Sequence, residues 1–170
     1  TGAGTVNANG GMALSSIFVK DLTGTKILNT PAGSTVTWTG TGTVRVGTGS
    51  VINNAGTWDC QSDTNIQNPF GGTPTFNNSG TFKKTVGAGT STTFIPFHNT
   101  GAVTAQTGTI SLQSDGTHTG SFNSSGGSVQ FNGGIHNLNA GASFTGTVVL
   151  VLGTLNVNSA LTVPSFTQNG

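Results

Sequence analysis

The chain has 170 residues, of which five are Lys or Arg, four are Asp and none is Glu or Tyr, while 28 Gly, 31 Thr, 17 Asn and 16 Ser supply more than half of it. Helices are built mainly from Ala, Leu, Glu, Lys and Arg, so this composition excludes a helical protein. Five cations cannot form the footprint of a nucleic-acid binder, and four acids cannot form an acidic tail.

Low charge with abundant Gly, Ser, Thr and Asn also occurs in disordered chains, but here 32% of the residues are apolar and ten Phe are spread along the chain. They alternate with polar residues, as in Ser34-Thr-Val-Thr-Trp38 and Gly127-Ser-Val-Gln-Phe131. Alternation with β-branched residues is the pattern of a half-buried strand. The longest apolar run, Thr147-Val-Val-Leu-Val-Leu152, has strand length and is too short for a membrane span. The single cysteine, Cys60, has no partner for an internal disulfide, and no Cys/His cluster points to a metal or other cofactor.

In chain order, one unit recurs: an apolar leader, a short Asn-rich stretch, then Gly. It reads Val6-Asn-Ala-Asn-Gly10, Leu28-Asn-Thr-Pro-Ala-Gly33, Ile52-Asn-Asn-Ala-Gly56 and Phe76-Asn-Asn-Ser-Gly80. It continues as Phe97-His-Asn-Thr-Gly101, Phe122-Asn-Ser-Ser-Gly126, Phe144-Thr-Gly146 and Phe166-Thr-Gln-Asn-Gly170. A second apolar column follows six residues later at Met12, Trp58, Phe82, Val103 and Leu150, with Val129 late by one. Further alternating runs hold Val44 and Val46, Ile110 and Leu112, Ile135 and Leu138, and Leu155 and Val157.

A period in the range of 20 to 50 residues marks a repeat architecture. The pattern predicts an all-β fold, a parallel β-solenoid of about seven coils of 21–25 residues that forms one segment over 1–170. Val6, Leu28, Ile52, Phe76, Phe97, Phe122, Phe144 and Phe166 are expected to form one inward ladder, with aromatic stacking along its second half. Trp38 and Trp58 also read as inward. A β-sandwich is the competing architecture, and it does not require one motif at a fixed phase.

The units Phe76-Asn-Asn-Ser-Gly-Thr-Phe82 and Phe97-His-Asn-Thr-Gly-Ala-Val103, followed by Gly108-Thr-Ile-Ser-Leu112, resemble repeats of large bacterial secreted and cell-surface proteins. These are adhesin-like β-helices, broadly similar to filamentous haemagglutinins and autotransporter passengers. The resemblance covers nearly the whole chain, and residues 1–20 fit it least well. It implies an extracellular or cell-surface location and a role as stalk, adhesin or fibre.

Glycoside hydrolysis usually needs two facing carboxylates. Asp21, Asp59, Asp63 and Asp115 stand 15, 7, 11 and 18 residues after their leaders, and only Asp59 and Asp63 share a coil. No catalytic group is expected. Lys83 stands at the same offset as Asp59 in the next coil, so these two are expected to form an exposed ion pair worth at most about 1 kcal/mol. Lys84 would then point inward, which predicts that the strand ends or kinks there. His98, His118 and His136 have unrelated offsets and are expected to be solvated surface residues. Threonine does not recur at one offset, since residues 122–143 contain none, which argues against a flat ice-binding face. The Asn-x-Ser sequons at Asn77 and Asn123 share an offset and offer glycosylation sites in a secreted setting.

The expected role is a non-catalytic structural segment, a stalk or filament subunit. The partners expected for it are copies of itself, associated end to end or laterally, or the rest of a longer chain. The opening of a further repeat at Phe166 and the uncapped start at Thr1 support that expectation. A carbohydrate-binding or polysaccharide-acting module with surface glycans as ligands is the alternative, and exposed aromatics on one face would favour it.

Overall fold

Short β-branched runs punctuated by Gly, Asn and Ser extend for three or four residues and then turn. A computed structural model describes residues 2–169, and among them every regular element is a strand. The strands wind into a parallel β-solenoid of about eight turns with three faces. The first face begins with Thr5–Asn7, Ile27–Thr30, Val51–Asn54, Thr75–Asn78, Phe97–Asn99 and Gly116–His118. The second face begins with Met12–Leu14, Thr35–Trp38, Thr57–Cys60, Thr81–Lys84 and Ala102–Ala105. The third begins with Lys20–Leu22, Val44–Val46, Asn65–Gln67, Thr90–Thr93 and Thr109–Leu112. The long strands Ser121–Leu138 and Ser143–Val157 then run around the corners through all three faces, and Ser165–Gln168 closes the third.

The ladder expected from the repeat leaders holds for five coils and then divides. Val6, Leu28, Ile52, Phe76 and Phe97 are in register on the first face. Phe122 does not follow Phe97. It pairs with Val103 and Phe144 on the second face, in the column Met12, Val36, Trp58, Phe82, Val103, Phe122 and Phe144. Phe166 lies on the third face beside Val148. The cause is coil length: bonds between neighbouring coils span 24 residues at Asn53 and Asn29 but 19 at Thr117 and His98. Val129 and Leu150, expected in the second column, sit on the third face with Ile110 and Phe131 respectively.

The core is aromatic in two clusters. Phe76 meets Trp58 and Phe82 edge-on and stacks on Phe97 with centroids 5.0 Å apart. Phe122 stacks on Phe144 at 5.2 Å, and Phe131 meets both edge-on. Trp38 and Trp58 point inward and are buried. Val6 and Phe166, in the end coils, are half exposed.

Amide ladders run along the axis on either side of the first face's core column. On the outside, Asn29 Nδ2 donates to Asn7 Oδ1, Asn53 to Asn29 and Asn77 to Asn53, at 2.8–3.0 Å. At the buried corner, Asn54 Nδ2 donates to Asn78 Oδ1 at 2.7 Å and Asn78 Nδ2 to Asn99 Oδ1 at 2.8 Å. Each of these buried amides also donates to a second-face carbonyl, that of Thr81, Ala102 or Ser121. The corner can close this tightly because glycine stacks on glycine: a Cβ on Gly80 would collide with Gly56 O, and one on Gly101 with Gly80 O. Asn77 and Asn123 of the two sequons both lie within sheet strands.

The buried ladder stops one coil short. Thr30 pairs with Asn54 in register, yet Thr30 Oγ1 and Asn54 Oδ1 both lack a hydrogen-bond partner among the described residues. Thr30→Asn supplies an amide whose Nδ2 reaches Asn54 Oδ1 in the direction the ladder already runs. The substitution is expected to raise stability by about 1 kcal/mol, read as a higher urea midpoint at unchanged slope. A lower midpoint would mean that the ladder is incidental to stability.

Candidate functional site

Asp59 and Lys83 are register partners on adjacent second-face strands. Lys83 Nζ lies 3.6 Å from Asp59 Oδ2, with the lysine side chain 29% exposed and the aspartate 9%. Asp59 is therefore less exposed than expected, and it also accepts from Thr85 Oγ1 at 2.7 Å and Gln61 Nε2 at 3.0 Å.

Lys84 corrects the expected kink. Its strand continues through it in register with Cys60 and Ala105, and its side chain is fully buried. Nζ donates to Asp63 Oδ1 at 2.6 Å and Val86 O at 2.9 Å, with longer contacts to Ser62 O and Ser91 Oγ. A buried ammonium is tolerated when its donors are matched in this way. The Lys84 hydrogen bond holds the Asp63 carboxyl below its ordinary pKa. Burial pushes the neighbouring Cys60 thiol up to about 12, so it is neither a nucleophile nor a ready metal ligand.

His118 and His136 are likewise not surface residues, since both are fully buried. The rings lie in the second aromatic cluster beside Phe131. His136 Nε2 is 3.0 Å from Gly133 O and therefore carries the proton there. His136 Nδ1 thus accepts from His118 Nε2–H, at 3.0 Å. Only His98 stays near the surface, where its Nδ1 accepts from Thr117 N. No group of three metal-binding side chains occurs among the described residues.

The arrangement with most chemistry facing solvent is on the third face, at the corner where it meets the first. Asp21 and Arg45 are register partners, and Arg45 Nε and Nη2 donate to the two carboxylate oxygens at 2.7 Å each. This bidentate pair holds the Asp21 carboxyl below its ordinary range. Gln67 follows Arg45 in register. Residues 68–74 form the corner after it, and the loop folds back along the preceding coil with Thr48 N donating to Gly71 O at 2.7 Å. The fold-back places the Phe70 ring 5.1 Å from the Arg45 guanidinium, and Phe70 stays 41% exposed. On the next coil, Phe94 N donates to Ile66 O, which sets the 42%-exposed Phe94 beside Gln67. Two shallow depressions result, one of about 430 Å³ lined by Asp21, Thr23, Thr48 and Phe70, the other of about 270 Å³ lined by Gln67, Asn68, Pro69 and Phe94.

Counting from repeat leaders missed the Asp21–Arg45 pair, because the two residues differ in offset from the preceding leader. Counting back from the following leader finds it: Asp21 precedes Leu28, and Arg45 precedes Ile52, by the same seven residues. Phe70 and Phe94 carry no repeat signal because they sit in corners of unequal length.

The fold and these ladders define the class, a parallel β-solenoid repeat protein. Compared with known protein families, curated proteins and solved structures, the chain finds no match in any of the three.

Proposed function

We propose that the chain is a structural length of a large bacterial extracellular or cell-surface protein, a stalk or filament element with an adhesin-like role and no catalytic activity. One observation carries this reading: the specific polar interactions run along the axis, from coil to coil. The asparagines form axial ladders, and all four aspartates are engaged with a neighbouring coil. Asp21 binds Arg45, Asp59 binds Lys83, Asp63 binds Lys84, and Asp115 Oδ1 accepts from Ile135 N at 2.7 Å. Such bonding makes a rod that resists bending and extension. The low net charge of +1 leaves little repulsion to oppose end-to-end or lateral assembly. The likeness of Phe76-Asn-Asn-Ser-Gly-Thr-Phe82 to adhesin-type repeats supports the extracellular setting.

Negative-stain electron microscopy of the native material tests the proposal. Continuous rods or fibres of uniform width are expected. If this chain is the subunit, they should show an axial repeat of about 38 Å, from about eight turns at roughly 4.8 Å each. Isolated globular particles in native material would contradict it.

A further inference from the structure

We propose that the strip formed by Asp21, Arg45, Gln67, Phe70 and Phe94 binds a neutral polysaccharide chain. Phe70 and Phe94 are each about two-fifths exposed on consecutive coils of one corner, and the residues that place Phe70 there are specific. Gly71 and Gly72 adopt φ of 69° and 74°, which lets residues 68–74 fold back, and Gly47 beneath has no room for a Cβ against Phe70. The Phe70 ring faces Arg45, and the residue is 41% exposed. An open aromatic face offers its negative quadrupole to the C–H-rich face of a sugar ring.

The polar groups beside the two rings suit hydroxyls rather than charges. Arg45 uses Nε and one Nη2 proton on Asp21, which neutralises its charge and so removes the main attraction for a phosphate or carboxylate. Nη1 remains to donate to a hydroxyl, and the Asp21 carboxylate, already oriented, can accept from one. The Gln67 amide supplies a donor and an acceptor in one plane. Lys20, next to Asp21 in the chain, turns away to donate to Ser16 O at 2.6 Å. The strip is thus neutral as a unit, which selects a neutral ligand over a uronic-acid polymer or a nucleic acid. It is also linear: Asp21, Arg45, Gln67 and Phe94 step along the axis at roughly 4.8 Å per coil, a track for an extended chain rather than a pocket for a monosaccharide.

Affinity electrophoresis through native gels containing xyloglucan, galactomannan, mixed-linkage β-glucan or hydroxyethylcellulose tests this, with hyaluronate as the charged comparison. Retardation in at least one neutral gel is expected, and none with hyaluronate. Phe70→Ala and Phe94→Ala should each weaken retardation at least tenfold while the chain keeps its cooperative thermal transition. Phe18→Ala, which removes a 75%-exposed ring before Lys20 on the other edge of the face, should retain it. The proposal is overturned by no retardation in any neutral gel, by stronger retardation with hyaluronate, or by Phe70→Ala and Phe94→Ala binding as the parent does. Equal loss on Phe18→Ala would also overturn it, by showing that binding does not depend on this strip.

Discussion

Asp63→Ala is expected to destabilise the chain by about 3 kcal/mol, whereas Lys84→Met at the other end of the same bond is expected to change stability by less than about 1 kcal/mol. The asymmetry follows from burial. The Lys84 side chain is fully buried and the Asp63 side chain 44% exposed, so removing the carboxylate strands an ammonium inside, while removing the ammonium leaves a carboxylate that water can reach. The Asp63 figure is at the low end for breaking a buried pair, because Nζ keeps Val86 O and because the opened corner admits water. Met fills nearly the same volume as the lysine stem and costs little in a packed site. Urea denaturation of both variants checks the order. Equal losses would mean that the cost lies in the broken bond itself and not in an ammonium stranded by burial.

The second large effect is acid lability set by His118 and His136. Burial lowers the first to about 3 and the second to about 4, and for His118 the neighbouring His136 adds to the shift. Both folded values lie below the unfolded value near 6.5, so the unfolded chain binds more protons throughout the interval between them. Stability is therefore full above about pH 6.5 and falls as the pH drops toward 4 and then 3, by at most about 3 kcal/mol for His136 and about 5 kcal/mol for His118. The geometry shows why: a proton on His136 Nδ1 would face His118 Nε2–H across 3.0 Å. The lowered carboxyls of Asp21 and Asp63 add to the loss only below about pH 4, so above that the histidines act without them. His136→Phe should roughly halve the slope of the profile between pH 6.5 and 4.5, measured as urea midpoint against pH, because His118 stays buried and keeps its own lowered value. A variant with the parent's slope there would rule out the histidine pair as the cause.

The first five coils were legible because their leaders, from Val6 to Phe97, fall on one face. Beyond Phe97 the same Phe-Asn-Gly signature appears on a different face, since each side of the triangle ends in a similar Gly/Asn turn. The motif marks a strand followed by a corner and does not say which corner. Trp38 and Trp58 were readable as core from alternation alone. Alternation also placed Lys84 inward correctly, but its compensating carboxylate, Asp63, lies in a corner of the previous coil and in no strand pattern. His118 and His136 become neighbours only once the coils shorten, so offsets taken from the leaders kept them apart. The third-face strip was hidden for a similar reason, because corner residues such as Phe70 follow loop length rather than repeat phase.

Disulfide trapping on the outer surface tests the coil register most directly. Thr104 and Asn123 are register partners across adjacent second-face strands. A cysteine at each brings the Cα atoms within the range a disulfide spans. Thr104→Cys with Asn123→Cys is expected to oxidise readily to an internal cross-link, seen as a mobility shift reversed by reductant. A uniform 25-residue coil would instead place Asn123 beside His98, so cross-linking of His98→Cys with Asn123→Cys, and none between 104 and 123, would contradict it.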